Sequence, residues 1–196
     1  MDKNKQKDPP QNDIKFILNL LNSNKLIDAK NEIDKQLVKF PKSSVLFNVL
    51  GAVFANENKL DKAINSYEKA ISLNTNYAQA YNNLGIAFHK LNKIDKAIEN
   101  YKKAIHLKSD FFEAYNNLGN AVRDFNKYKE ALTYYNKALE FNPNYAEAYN
   151  NIGATYENLG DKKKALVNYQ KAVEFKPDYA EVYNNIGTLL SSSVRF

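Results

Sequence analysis

The chain has 196 residues, a net charge of +6 and no cysteine, so disulfide bonds and thiolate metal sites are excluded. No apolar run approaches the ~20 residues that a membrane-spanning helix needs. The first ten residues are charged and lack the apolar segment of a secretory signal, which predicts a disordered tail at 1–10 and a cytoplasmic protein.

A five-residue pattern recurs along the chain at a fixed interval. Tyr-Asn-Asn-Leu/Ile-Gly occurs four times, and a weaker copy, Phe-Asn-Val-Leu-Gly, precedes them, so that a glycine returns every 34 residues. An unbroken interval indicates one structural unit that is copied without insertion. The glycines are Gly51, Gly85, Gly119, Gly153 and Gly187.

Each unit is predicted to be a helix, a tight turn and a second helix. In the copy at 112–145, apolar residues recur at spacings of three and four on both sides of Asn126, which is the periodicity of two amphipathic helices. Small residues at the glycine positions predict a close crossing of the two helices.

The residues at the ends of the predicted helices support this interpretation. The turn position holds residues that tolerate the left-handed conformation: Asn24, Asn58, Asn92, Asn126 and Gly160. Capping boxes are predicted before the later units, at Asn76–Gln79, Asp110–Glu113, Asn144–Glu147 and Asp178–Glu181.

In chain order, residues 11–43 form a divergent N-terminal capping repeat, in which Ile17 stands at the glycine position. Four complete repeats follow at 44–77, 78–111, 112–145 and 146–179. Residues 180–196 hold the first helix of a further, truncated repeat, which suggests a fragment of a longer array.

These positions resemble the tetratricopeptide repeat (TPR) family. The third copy carries the family's sequence of aromatic, Leu-Gly, Ala, aromatic, Ala and Pro at Tyr115, 118–119, Ala131, Tyr135, Ala138 and Pro143. Thr75 and Ser109 replace the proline in two copies. The resemblance implies an all-α, right-handed superhelical solenoid of antiparallel helix pairs, about 11 helices in all, that binds other proteins.

In the family, first helices line a concave groove, and the asparagines that follow the motif tyrosine would face it at least in part. A ladder of such amides could pair with the backbone of an extended peptide, whatever its sequence. This is similar to the asparagine ladder in the TPR arm of O-GlcNAc transferase-like proteins. The predicted groove residues are Asn82, Asn83, Asn116, Asn117, Asn120, Arg123, Asn150, Asn151, Glu157, Asn184 and Asn185.

A structural role for the asparagines stays open, because they could bond to the neighbouring helix and only fix the spacing of repeats. Asparagine is a poor helix former, so its recurrence inside a helix needs one of these two explanations.

Other classes of function have less support. Lysines recur on the second helices among acidic residues, which is typical of a solvated face and makes nucleic acid an unfavoured partner. His89 and His106 have no spacing of metal ligands, and no catalytic site, metal site or cofactor is predicted. The sequence therefore favours a protein-interaction scaffold. The alternative is the substrate-recruiting arm of a larger enzyme, such as an O-GlcNAc transferase-like glycosyltransferase.

Overall fold

The computed structural model describes residues 7–191, and these hold eleven α-helices and no strand, which confirms the all-α prediction. In the complete repeats every first helix has 13 residues and every second helix has 14. The helices are α1 Gln11–Asn22, α2 Leu26–Lys39, α3 Ser44–Asn56, α4 Leu60–Leu73, α5 Ala78–Lys90, α6 Ile94–Leu107, α7 Phe112–Asp124, α8 Tyr128–Phe141, α9 Ala146–Asn158, α10 Lys162–Phe175 and α11 Ala180–Ser191.

The chain divides into two compact units, residues 1–107 and 108–196. In the first unit, α1 to α6 form three antiparallel pairs, and the second helix of a pair also contacts the first helix of the next. In the second unit, α7 pairs with α8 and α9 pairs with α10, while α11 packs against α10 and α9. Within each unit, alternate first helices touch directly, as α3 touches α5 and α9 touches α11.

The motif glycines make room for a tyrosine of the second helix. A Cβ on Gly119 would lie 2.5 Å from Cε1 of Tyr135, and Gly85 and Gly153 face Tyr101 and Tyr169 in the same way. These rings are fully buried. The close helix crossing that the small residues predict is therefore a contact between a glycine and a tyrosine ring. The two residues of each contact are sixteen positions apart in sequence.

In the divergent first repeat, two medium-sized side chains replace the glycine and the tyrosine at the contact between the helices. Ile17 stands at the glycine position of α1, and Ile33 stands sixteen residues later, where the other repeats carry the tyrosine. Both are completely buried in one cluster with Leu46 and Val53. A larger residue at the glycine position is thus accompanied by a smaller one opposite.

The turn inside each repeat has the predicted left-handed residue. Asn24, Asn58, Asn92 and Asn126 have φ angles of 57–58°, and Gly160 has a φ of 77°. Alanine is disfavoured in this region, whereas glycine adopts it without steric cost.

The turn therefore predicts different responses to two substitutions of Asn126. We expect Asn126→Ala to lower the free energy of unfolding by about 1 kcal/mol, because the left-handed conformation is strained for alanine. Asn126→Gly should leave it within about 0.5 kcal/mol of the parent, since glycine already serves at position 160. Urea unfolding followed by circular dichroism measures both. Equal losses for the two variants would contradict a role for the backbone angle.

The capping boxes predicted before α5, α7 and α9 are wrong. These helices begin one residue later than expected, with Tyr77, Phe111 and Tyr145 at the cap positions, and no side chain there accepts a backbone bond. Hydrogen bonds in the loop before the helix form instead. The backbone N–H of Asn76 donates to Oδ1 of Asn74 at 3.2 Å, and the backbone N–H of Asn144 donates to Oδ1 of Asn142 at 3.3 Å. Such asparagine turns compete with capping for the same polar residues.

Side-chain caps do occur before α3 and α10. The hydroxyl of Ser43 accepts from the N–H of Leu46 at 3.2 Å before α3, and the carboxylate of Asp161 accepts from the N–H of Lys164 at 3.0 Å before α10. The disordered tail predicted at 1–10 lies largely outside the described residues. Of its described part, the ammonium of Lys7 donates to the carbonyl of Leu73 at 3.0 Å. Residues 192–196 of the predicted truncated repeat also lie outside the described range.

Candidate functional site

The two asparagines of each motif occupy different environments. The first of each pair is buried on α5, α7 and α9, where Asn82, Asn116 and Asn150 are only 3–4% exposed. The second of each pair is half-buried on all four motif helices, at Asn83, Asn117, Asn151 and Asn185. The last first-position asparagine, Asn184 on α11, is exposed.

The second asparagine donates a hydrogen bond to a first-position asparagine of the preceding repeat. In the first unit, Nδ2 of Asn83 lies 3.0 Å from Oδ1 of Asn48. In the second unit, Nδ2 of Asn151 lies 2.9 Å from Oδ1 of Asn116. The inter-helix bond that the structural explanation requires is therefore present. It uses one of the two amide N–H groups and does not involve the carbonyl oxygen of the donor residue.

At the end of the second unit these bonds extend to a carboxylate. Nδ2 of Asn185 on α11 donates to Oδ1 of Asn150 on α9 at 3.1 Å. Nδ2 of Asn150 in turn donates to Oε1 of Glu181 at 3.2 Å, back on α11. The two helices are thus joined by two side-chain bonds through one buried amide.

A polar cleft lies over this network in the second unit. Its volume is about 440 Å³, and its walls come from α7, α9, α10 and α11. It brings together five of the predicted groove residues, Arg123, Asn150, Asn151, Glu157 and Asn185, and adds Ala154, Asn158, Tyr169 and Glu181.

The remaining predicted residues are placed elsewhere. Asn82 and Asn83 belong to the first unit, while Asn116, Asn117 and Asn184 lie outside the lining of the cleft. Asn120 is half-buried, and its Oδ1 accepts from the hydroxyl of Tyr135 at 2.8 Å. Asn120 is therefore part of the contact between α7 and α8.

Two of the cleft residues outside the predicted set, Tyr169 and Glu181, take part in its hydrogen bonds. The ring of Tyr169 is buried, but its hydroxyl donates to Oε2 of Glu157 at 2.9 Å. Glu181 was assigned to a capping box, but its carboxylate accepts from Asn150. The signal for Tyr169 was available: tyrosine, never phenylalanine, recurs at 67, 101, 135 and 169, although burial alone would favour phenylalanine.

The electrostatics of the cleft are mixed. Burial raises the pKa of Tyr169, and the hydrogen bond to Glu157 raises it further, so the phenol stays a neutral donor. It holds the carboxylate of Glu157 at one wall, while the guanidinium of Arg123 and the amides supply donors elsewhere. Such a surface can bind a chain that offers backbone N–H and C=O groups together with charged side chains.

A metal centre and a membrane-spanning helix are absent from the described residues. Among residues 7–191 there is no group of three or more histidine, cysteine or acidic side chains that could hold a metal ion. No helix within that range combines the length and apolar character that crossing a membrane would require.

Comparison with known families decides the identity of the repeat. The TPR repeat model matches residues 51–92, 87–124 and 119–160, and the Tetratricopeptide repeat model matches residues 146–179. The chain belongs to the tetratricopeptide repeat family. Proteins built from TPR units are typically non-enzymatic scaffolds for interactions between proteins.

Solved TPR structures share the fold over most of the chain. MamA is 26% identical, with a TM-score of 0.68, over 83% of this chain and 95% of that one. YrrB, described as a TPR protein with an unusual peptide-binding site, is 23% identical with a TM-score of 0.65, over 94% and 93%. A thermophilic TPR protein from Thermus thermophilus is 16% identical with a TM-score of 0.80, over 92% and 98%. No curated protein matches the chain.

Proposed function

We propose that this TPR chain is an interaction scaffold that binds a partner polypeptide in an extended conformation in the cleft of its second unit. The observation that carries the proposal is the convergence of Asn151, Asn185, Arg123 and Glu157 on one polar cleft. Each of the two asparagines keeps a carbonyl oxygen and a second N–H beyond the bond it donates to the neighbouring helix. These groups match the alternating donors and acceptors of a peptide backbone.

The bonds between asparagines support the proposal rather than compete with it. An amide that already donates to the neighbouring helix is held in one orientation, so less side-chain entropy is lost when a peptide binds. The charged side chains at the walls would then select among peptides. Arg123 favours an acidic or polar group, and the carboxylates of Glu157 and Glu181 favour a basic one.

Binding should depend on the cleft amides. We expect the double variant Asn151→Ala and Asn185→Ala to weaken peptide binding by about tenfold or more, because two backbone-pairing groups are lost. The measurement starts with an array of immobilised peptides. Fluorescence anisotropy then gives dissociation constants for the peptides that bind.

The matched control is Asn136→Ala, since Asn136 is an exposed asparagine on the second helix α8. It should leave the dissociation constant unchanged. Circular dichroism would verify that the double variant keeps its helices despite losing two inter-helix bonds. If the folded double variant binds peptides as tightly as the parent, the amides serve the fold alone and the cleft is not the site.

A further inference from the structure

The cleft of the second unit holds more negative than positive charge. Its lining includes the carboxylates of Glu157 and Glu181 and the guanidinium of Arg123, which gives it a formal net charge of −1. All three groups act on the hydroxyl of Tyr169. Burial raises the pKa of that hydroxyl most, and the hydrogen bond to Glu157 raises the pKa by more than the charge of Arg123 lowers it. The excess of negative charge therefore acts inside the cleft.

Neutral donors orient both carboxylates of the cleft. The hydroxyl of Tyr169 donates to Oε2 of Glu157 at 2.9 Å, and Nδ2 of Asn150 donates to Oε1 of Glu181 at 3.2 Å. A phenol and an amide fix the position of a carboxylate but do not neutralise its charge. Because a carboxylate can accept about four hydrogen bonds, each of the two keeps the capacity to bind a ligand.

Carboxylates elsewhere in the second unit are paired with lysines. The ion pairs are Lys137 with Glu140, Lys164 with Asp161 and Lys176 with Glu147. In the last pair, the ammonium of Lys176 lies 3.2 Å from Oε1 of Glu147 and 4.5 Å from the ring centroid of Tyr179. A carboxylate beside a tyrosine thus holds a lysine within this same unit, and this is the chemistry that we expect the oriented carboxylates of the cleft to accept.

Packing of the tyrosine does not require a carboxylate at position 157. In the preceding repeat, Tyr135 corresponds to Tyr169, and its hydroxyl donates to the amide oxygen of Asn120 at 2.8 Å. The residue that corresponds to Asn120 in the next repeat is Ala154, whose side chain has no acceptor. The hydroxyl of Tyr169 donates to Glu157 instead. An uncharged acceptor is sufficient for the buried ring, so Glu157 adds a charge that the fold does not need.

We infer that the cleft selects peptides that carry a basic side chain, lysine or arginine, and that Glu157 and Glu181 determine this specificity. The inference rests on the proposed function: the amides of Asn151 and Asn185 contact the peptide backbone, while the cation pairs with an oriented carboxylate. Glu157 contributes more than Glu181, because Glu157 is half-buried whereas Glu181 is exposed and more strongly screened. Acidic side chains are disfavoured by repulsion from both carboxylates.

The test uses the full chain and three peptides that differ at one position. They are acetylated and amidated heptapeptides, Ser-Thr-Ala-X-Ala-Thr-Ser, in which X is lysine, glutamine or glutamate, and NMR titration gives their dissociation constants. We expect the lysine peptide to bind about tenfold more tightly than the glutamine peptide, because it gains a charge-assisted hydrogen bond. The glutamate peptide should bind most weakly.

Variants of the protein assign the preference to a residue. Glu157→Gln should reduce the preference for lysine over glutamine by about fivefold, and Glu181→Gln should reduce it by less. Glutamine still accepts a bond from Tyr169, so the melting temperature of Glu157→Gln should match that of the parent protein. The matched control is Glu174→Gln on α10, which removes an exposed carboxylate outside the lining of the cleft and should leave the preference unchanged.

The outcomes separate this inference from the proposed function. Equal affinities for the lysine and glutamine peptides, or a lysine preference that survives Glu157→Gln and Glu181→Gln together, would overturn the inference. The peptide cleft would still stand if Asn151→Ala with Asn185→Ala weakened binding. Tighter binding of the glutamate peptide would overturn the inference and assign the selection to Arg123. A lysine preference with undiminished affinity in the amide double variant would support the charge selection and contradict the backbone contacts of the proposed function.

Discussion

Replacing Gly119 with alanine should lower the free energy of unfolding by about 1–3 kcal/mol, although alanine is normally the better helix residue. The new methyl carbon would lie 2.5 Å from Cε1 of Tyr135. That ring is completely buried and its hydroxyl is bonded to Asn120, so it cannot move aside cheaply. Urea unfolding monitored by circular dichroism measures the change.

The matched control for this variant is Gly187→Ala. The same substitution at the same repeat position meets no neighbouring atom, so it should raise the free energy of unfolding by up to about 1 kcal/mol. A second control is Gly119→Ala made together with Tyr135→Leu. If the ring of Tyr135 causes the loss of stability, Gly119→Ala should lower the free energy of unfolding by less in the Tyr135→Leu variant than in the parent protein. Equal effects of alanine at positions 119 and 187 would show that the ring of Tyr135 is not the reason why position 119 requires glycine.

Replacing Asn150 with alanine should lower the free energy of unfolding by about 1–2 kcal/mol. Asn150 is buried, accepts from Asn185 and donates to Glu181, so its loss removes both side-chain bonds between α9 and α11. Asn185 and Glu181 both remain accessible to water, which limits the penalty. The measurement is again the urea midpoint, with hydrogen exchange on α11 as a local readout.

Asn184→Ala is the control, because Asn184 holds the equivalent position one repeat later and is exposed. Its effect should stay within about 0.5 kcal/mol, or be slightly stabilising, since asparagine is a poor helix former. A similar loss at both positions would mean that the buried bonds do not hold the first helices together.

The helices and their turns could be predicted from the sequence because they depend on local rules and on a strict period. Periodicity located each helix, and Asn126 and its equivalents identified the left-handed turns. The capping boxes failed because a spacing of three residues does not fix where the helix begins. Tyr77, Phe111 and Tyr145 take the cap positions, and the polar residues before them lie one place too early.

The candidate site was only partly accessible from the sequence. The repeat identifies the face on which Asn151 and Asn185 lie, but it does not give the distance between side chains of different helices. The buried state of Asn150 and its bond to Glu181 depend on how closely α9 and α11 approach. The hydroxyl of Tyr169 reaches Glu157 from the second helix, whereas the prediction drew its groove residues only from first helices.

The proposed function requires that the half-buried amides of the second unit contact a bound peptide. The most direct measurement is the NMR shift of the side-chain N–H₂ signals of Asn151 and Asn185 during titration with a peptide that binds. We predict that these signals move together with the Nε signal of Arg123, while that of Asn136 on α8 stays in place. Shifts confined to second-helix residues, with the amides of Asn151 and Asn185 unmoved at saturation, would contradict the proposed cleft.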